Sequence, residues 1–239
     1  HNLHNNHFPQ AKIMVHEADF PYLGSRERFI STLGSQYVGE DLSRYLKVDQ
    51  LGYEFREPDE TMSDGTIIDL GHTRLEVLHL PGHTAGHCGF LFPDLGLVFS
   101  SDIDLDRFGP WYGNAACNLN DFIDSVDRVI NLKPEMLITS HASGPITSNI
   151  QARLTRYRDE FYRREKEVIN ALYRGKHTLW EIVDENIIYR KFHEPQMRYF
   201  EWFMIRQHVL RLIGLGKVFA DNDRYYLYDG VRPSNLNLA

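Results

Sequence analysis

Pro81-Gly82-His83-Thr84-Ala85-Gly86-His87 follows a short apolar run, Leu75 to Leu80, that reads as a strand. A Pro-Gly turn at a strand's end sets His83 on a rigid edge, and neutral imidazole is a common ligand for zinc and related metals. Two later segments share the layout. Leu97-Val98-Phe99-Ser100-Ser101 runs into Asp102, and Met136-Leu137-Ile138-Thr139-Ser140 runs into His141. Three strand-like runs thus each deliver one metal-ligating side chain as they end. Any one of these residues alone is better read as an ordinary turn or loop polar; the ordered set points to a metal site.

That set, in that order, resembles the metallo-β-lactamase superfamily. The family pattern is H-x-H-x-D-H, then a histidine in P-G-H-T-x-G-H, then an aspartate after a strand, then a final histidine. The seven residues from Pro81 to His87 match closely. Ser101-Asp102 stands where Gly-Asp is usual, and Ser140-His141-Ala142 where His-Gly is usual, with Gly144 and Pro145 close behind. The resemblance covers residues 1 to about 150.

The first motif is the departure. The chain opens His1-Asn2-Leu3-His4-Asn5-Asn6-His7-Phe8-Pro9, from which no H-x-H-x-D-H can be read. In one register His4-Asn5-Asn6-His7 is a degenerate copy, with Asn6 replacing the aspartate. In the other, His1 is the motif's last histidine, and Asn2 to His7 separate it from Phe8-Pro9 and a strand over Ala11 to His16, a spacing similar to that of relatives. We prefer the second. It implies a longer parent chain whose general-base aspartate, two further histidines and first strands precede His1; His4 and His7 are then loop residues.

Composition narrows the class. A chain of 239 residues holds one large or two modest domains, and 42% hydrophobic with 25% charged residues is the balance of a soluble globular protein. No apolar run approaches the roughly 18 residues of a membrane span, and no signal peptide is visible. Two cysteines, Cys88 and Cys117, do not make a disulfide framework, so a reducing, cytoplasmic location is expected. Cys88 beside the histidine motif reads as a small buried filler. Residues 1–149 carry 10 Lys+Arg against 21 Asp+Glu, net −11, whereas residues 150–239 carry 16 against 12, net +4. Short strands, Gly and Pro give way to helical patterns at the same place. We therefore divide the chain into 1–149 and 150–239.

Within the first part, Gly24, Gly34 and Gly39 break residues 22 to 47 into short helical pieces. Asp64-Gly65 signals a hairpin between Glu54-Phe55-Arg56 and Thr66 to Leu70. Asn120 reads as the cap of a helix bearing Phe122, Val126, Val129 and Ile130 on one face. In the second part, Leu154, Tyr157, Phe161, Val168 and Leu172 follow helical spacing, and Thr178 with Glu181 forms a capping box for a second helix. A third helix spans about Gln196 to Leu215, and a hairpin turns at Asp221-Asn222-Asp223. The fold class expected is α/β. An αββα sandwich, its N-terminal part apparently missing, is followed by a small, mostly helical unit similar to a winged helix. That combination resembles a lactamase-like, glyoxalase-II-like subgroup that includes a mitochondrial endoribonuclease and many bacterial hydrolases.

The resemblance implies two divalent metals, zinc or alternatively iron or manganese, sharing a hydroxide. His83 serves the first metal, Asp102 bridges, and His1 and His141 serve the second. His87, the second histidine of the segment, props the site without binding metal. Phe108 to Gly113 follows Asp102 closely, so Trp111 and Tyr112 are candidates for a pocket wall, with an aromatic core edge the equal alternative. The arginines between Arg153 and Lys166 alternate with acids and read as a solvated helix face before a phosphate surface. The function expected is hydrolysis of a small acyl thioester or ester. The alternatives are an endoribonuclease, an iron-dependent redox enzyme and a catalytically degenerate binding module. The tail could also cover the cleft or form a homodimer contact; no membrane partner is expected.

Overall fold

The computed structural model describes residues 5–45 and 54–232. His1 and His4, on which the two N-terminal registers depend, lie outside the described residues. Strand β1 (Met14–His16) leads into three short helices, α1 (Phe20–Leu23), α2 (Arg26–Ser31) and α3 (Ser35–Val38). Gly24, Gly34 and Gly39 flank them as the sequence required. Strand β2 (Glu60–Met62) pairs in parallel with β1.

The main sheet has five strands in the order β3 (Ile67–Asp69), β4 (Arg74–His79), β5 (Cys88–Phe92), β6 (Leu97–Phe99) and β7 (Met136–Ile138). Its pairs are antiparallel except the last, β6 with β7, which is parallel because helix α4 (Leu119–Leu132) crosses between them. Side chains alternate across the sheet. Leu78, Val98 and Leu137 join the buried cluster with Phe122, Val126 and Val129 of α4. Val77, Phe90 and Phe99 fall on the other face, where the Phe90 and Phe99 rings stack 6.1 Å apart. His16 of β1 stacks on His79 at 3.8 Å on that face. Helix and small sheet thus sandwich the main one.

Two local expectations are corrected. The turn at Asp64-Gly65 forms, but Glu54 to Arg56 is not a strand, and β2 joins β1 while β3 joins β4. The turn is therefore a corner between two sheets, since Thr66 onward is captured by Val77 of β4. Helix α4 is capped by Asn118, whose side chain accepts from the N–H groups of Asn120 and Asp121.

After β7 come α5 (Ile150–Tyr173), α6 (Leu179–Val183), α7 (Pro195–Gly214) and a hairpin of β8 (Val218–Asp221) and β9 (Arg224–Leu227). The Thr178–Glu181 capping box is present. The expected division at residue 150 falls at the start of α5. The buried cluster runs across it from Leu42 to Val218, with Phe122 and Phe161 rings 5.3 Å apart, so the helices pack on the same core as the sheet. Among the described residues no helix is long and apolar enough to cross a membrane.

Candidate metal centre

Three strand ends build the site. After β4 the chain turns at Gly82, whose φ of +125° is open to glycine and whose Cβ, if present, would stand 2.3 Å from the Phe122 backbone. Ser125 Oγ donates to the Pro81 carbonyl at 2.7 Å, and Asp19 accepts from Thr84 Oγ1 at 2.6 Å and from the Gly86 N–H at 2.8 Å. The loop is thus tied to α4 on one side and, through Asp19, to the turn that follows β1 on the other. His83 Nδ1 lies 3.0 Å from the Trp111 carbonyl, which can only accept. Nδ1 therefore carries the proton and Nε2 keeps its lone pair, 3.9 Å from Asp102 Oδ2.

Asp102 follows β6 and is buried, with 8% of its surface exposed. Its N–H donates to His87 Nε2 at 3.1 Å, while His87 Nδ1 donates to the Leu80 carbonyl at 2.7 Å. Both ring nitrogens of His87 are engaged, so it has no lone pair left for a metal. Burial, with His83 adding a smaller push, lowers its pKa to about 4 and keeps it neutral. His87 fixes the backbone of Asp102 from behind.

His141 follows β7 and is largely exposed. Its Nε2 stands 3.1 Å from Asp102 Oδ1, and its N–H donates to Asp104 Oδ1 at 3.3 Å. One carboxylate therefore meets His83 through Oδ2 and His141 through Oδ1. Asp104 adds a donor the sequence reading missed: ligand atoms of Asp102, Asp104 and His141 all lie within 4.8 Å of one another. The available signal was its place two residues beyond Asp102. Burial raises the Asp104 pKa, and the neighbouring Asp102 carboxylate pushes the same way. Donors about 2.1 Å from one tetrahedral ion stand about 3.4 Å apart, so separations of 3.1 to 3.9 Å suit a shared divalent cation. His83, Asp102 and His141 thus come together at one place, while His1, the fourth residue expected there, lies outside the described residues.

A cavity of about 410 Å³ opens over these residues, walled by Asp106, Phe108, Gly109, Trp111 and Tyr189. The two aromatic candidates part here. Trp111 lines the cavity, its ring 5.5 Å from His83 and its indole N–H on Tyr189 Oη at 3.0 Å. Tyr112 does not: it is fully buried, with its hydroxyl 2.7 Å from His208 Nε2 of α7. In an extended loop neighbouring side chains take opposite sides, and Tyr112 takes the core. Long polar side chains from beyond residue 150 hold this wall. Buried Arg164 of α5 donates to the Pro110 carbonyl at 2.5 Å and to the Phe108 carbonyl. Buried Glu201 of α7 accepts from the N–H groups of Ile188 and Tyr189 at 2.9 and 2.7 Å. The solvated-face reading of the α5 arginines fails at Arg164.

Comparison with known proteins agrees with this fold. The sequence profile of the Metallo-beta-lactamase superfamily matches residues 5–141, more than half of the chain. The chain belongs to the metallo-beta-lactamase superfamily. A metallo-beta-lactamase family protein of Thermus thermophilus shares the fold at a TM-score of 0.70 and 22% identity, covering 91% of this chain and 72% of that one. A beta-lactamase domain protein of Burkholderia ambifaria does so at 0.66 and 15%, covering 91% and 65%. In sequence, an acyl-coenzyme A thioesterase of Homo sapiens is 25% identical over 148 residues, 61% of this chain and 52% of that protein. A hydroxyacylglutathione hydrolase of Francisella tularensis is 28% identical over 81 residues, 34% and 32% of the two chains. The chain thus spans about half the length, or less, of these two superfamily relatives.

Burial pushes the Cys88 and Cys117 thiols up to about 12, which keeps both protonated and unsuited to metal or nucleophilic chemistry near neutral pH.

Proposed function

We propose that this superfamily member is a metal-dependent hydrolase acting on a thioester or ester, with zinc as its metal and iron or manganese as alternatives. The observation that carries the reading is the single buried carboxylate of Asp102 offering one oxygen towards His83 and the other towards His141. His83, Asp102, Asp104 and His141 would hold the metal. When bound there, it lowers the pKa of a water and polarises the carbonyl to be cleaved.

The chain's own residues do the rest. The Trp111 carbonyl fixes the His83 tautomer, and His87 fixes Asp102, so both donors are presented without reorganisation. Trp111 and Phe108 supply an apolar wall that excludes water from one side of the acyl group. Tyr189, whose pKa burial raises to about 12, stays a phenol; its oxygen accepts from Trp111, which leaves its own proton to donate. The activities of the two relatives, on acyl-coenzyme A and on hydroxyacylglutathione, are both thioester hydrolyses and support that substrate class.

The test is turnover of acyl-coenzyme A and acyl-glutathione panels by metal-loaded protein, with and without chelator, beside single-stranded RNA. Chelator-sensitive thioester cleavage is expected. Cleavage indifferent to chelation, or cleavage of RNA alone, contradicts the proposal.

A further inference from the structure

A second cavity, of about 670 Å³, adjoins the first and shares Asp106 and Gly109 with it. Tyr157 is part of its wall and donates through Oη to the Asp102 carbonyl at 3.3 Å, so this space lies directly behind the candidate metal centre. Arg107, Arg153 and Arg156 line it. Their neighbours on α5 are neutralised: Arg158 pairs with Asp127 and Asp159, and Arg163 and Arg164 both pair with Glu160. Among the described residues the three cavity arginines have no ion-pair partner. The cavity's own acids are already engaged, Glu160 by those two arginines and Asp106 by the Gly109 N–H. Asp106 still carries its charge, so three guanidiniums against that one carboxylate leave a surplus of two in this cavity, in a chain of net charge −7.

The start of α5 adds to that field. Its first turn has no acidic residue and Asn149 makes no side-chain cap, so the positive end of the helix is not offset, and Arg153 follows immediately. Helices ordinarily place acids there; arginines cost stability unless an anion joins them.

We propose that this cavity binds the phosphate-bearing part of a coenzyme A leaving group while the thioester lies over Asp102. The proposal rests on the hydrolase reading and narrows its substrate. Guanidinium forks match phosphate oxygens in pairs. Glutathione is the poorer fit, because its own ammonium group offsets part of its carboxylate charge and it brings no phosphate to the guanidinium forks.

The experiment titrates coenzyme A, glutathione and a single-stranded oligoribonucleotide into chelator-treated protein by calorimetry, for the wild type and for Arg153→Glu/Arg156→Glu. Arg153 lies in the first turn of α5, where glutamate suits the dipole, and the paired glutamine variant covers a failure to fold. Coenzyme A should bind, more weakly as salt rises, and lose roughly tenfold or more in affinity in either double variant. Unchanged affinity in the variants, tighter binding of glutathione, or displacement of coenzyme A by the oligoribonucleotide overturns the assignment. Hydrolysis separates the two readings. Arginine-dependent binding without thioester turnover upholds the cavity and removes the hydrolase. Chelator-sensitive turnover with an unchanged KM in the variants does the reverse.

Discussion

Two loops face each other across the cavity, and they are held in different ways. The loop carrying His83 is fixed by short-range devices: a glycine pressed on Phe122, backbone closure from Leu80 to His87, and small polar groups at Thr84 and Ser125. The loop carrying Trp111 has a lighter internal scaffold, in which Asp106 Oδ1 accepts from the Gly109 N–H at 2.8 Å. Arg164 and Glu201, from 50 to 90 residues further along, hold its carbonyls and its partner Tyr189. The two loops meet where the Trp111 carbonyl accepts from His83 Nδ1. Local chemistry places the His83 imidazole, and distant buried charges place the wall that orients it.

The comparison breaks most visibly at Gly82. Alanine there would meet backbone at 2.3 Å and sit at a φ of +125°, so Gly82→Ala should cost about 5 kcal/mol, most of a typical domain's stability. Denaturant unfolding of the purified variant checks this; a loss within 1 kcal/mol, roughly the size of an ordinary surface substitution, would mean the loop is not pinned to α4. On the other side, Arg164→Met orphans the Phe108 and Pro110 carbonyls and should cost roughly 4 kcal/mol, with a change in Trp111 fluorescence. Wild-type stability with an unshifted spectrum would show that the wall stands without its clamp.

Acid sharpens the contrast. The His87 pKa is pushed from 6.5 to about 4, so between those values the unfolded chain takes up a proton that the folded chain refuses. The contribution is complete above pH 6.5 and should fall by up to about 3 kcal/mol as the pH drops to about 4. Buried His16 and His208 are displaced in the same direction. Urea midpoints of metal-free protein at pH 7.5 and about 4.5 should differ in the wild type and converge in part in His87→Gln; a pH-independent midpoint contradicts the buried, neutral ring. The smallest effect is expected for Glu201→Gln, about 2 kcal/mol, because an amide can present only one acceptor to the two N–H groups it must satisfy. Its hydrogen exchange at Ile188 and Tyr189 should quicken, and unaltered protection there would remove Glu201 from the wall.

The same asymmetry explains what the amino-acid order disclosed. His83, Asp102 and His141 each end a strand, and a strand end is a local pattern, so each could be set at a strand's edge ahead of the structure; their convergence was what the family resemblance implied. The glycine-punctuated helices and the Thr178 capping box are local in the same sense. The division of labour between Trp111 and Tyr112 was not, because His208 and Arg164 decide it from across the core. Nor was the role of Arg164 in a run that looks solvent-facing, or that of Tyr189, whose neighbours give no pattern. The corner at Asp64-Gly65 misled because turn residues specify a bend, while the partner strands are chosen by the sheets on either side.

The central claim is that His83, Asp102 and His141 hold a divalent cation together. Cobalt(II) titration of chelator-treated protein, followed by its visible ligand-field spectrum, tests it most directly. Saturable binding in the wild type, abolished in Asp102→Ala and weakened in both His83→Ala and His141→Ala variants that remain folded, is the result predicted. A spectrum and affinity that survive the loss of Asp102 would place the metal elsewhere and contradict the account.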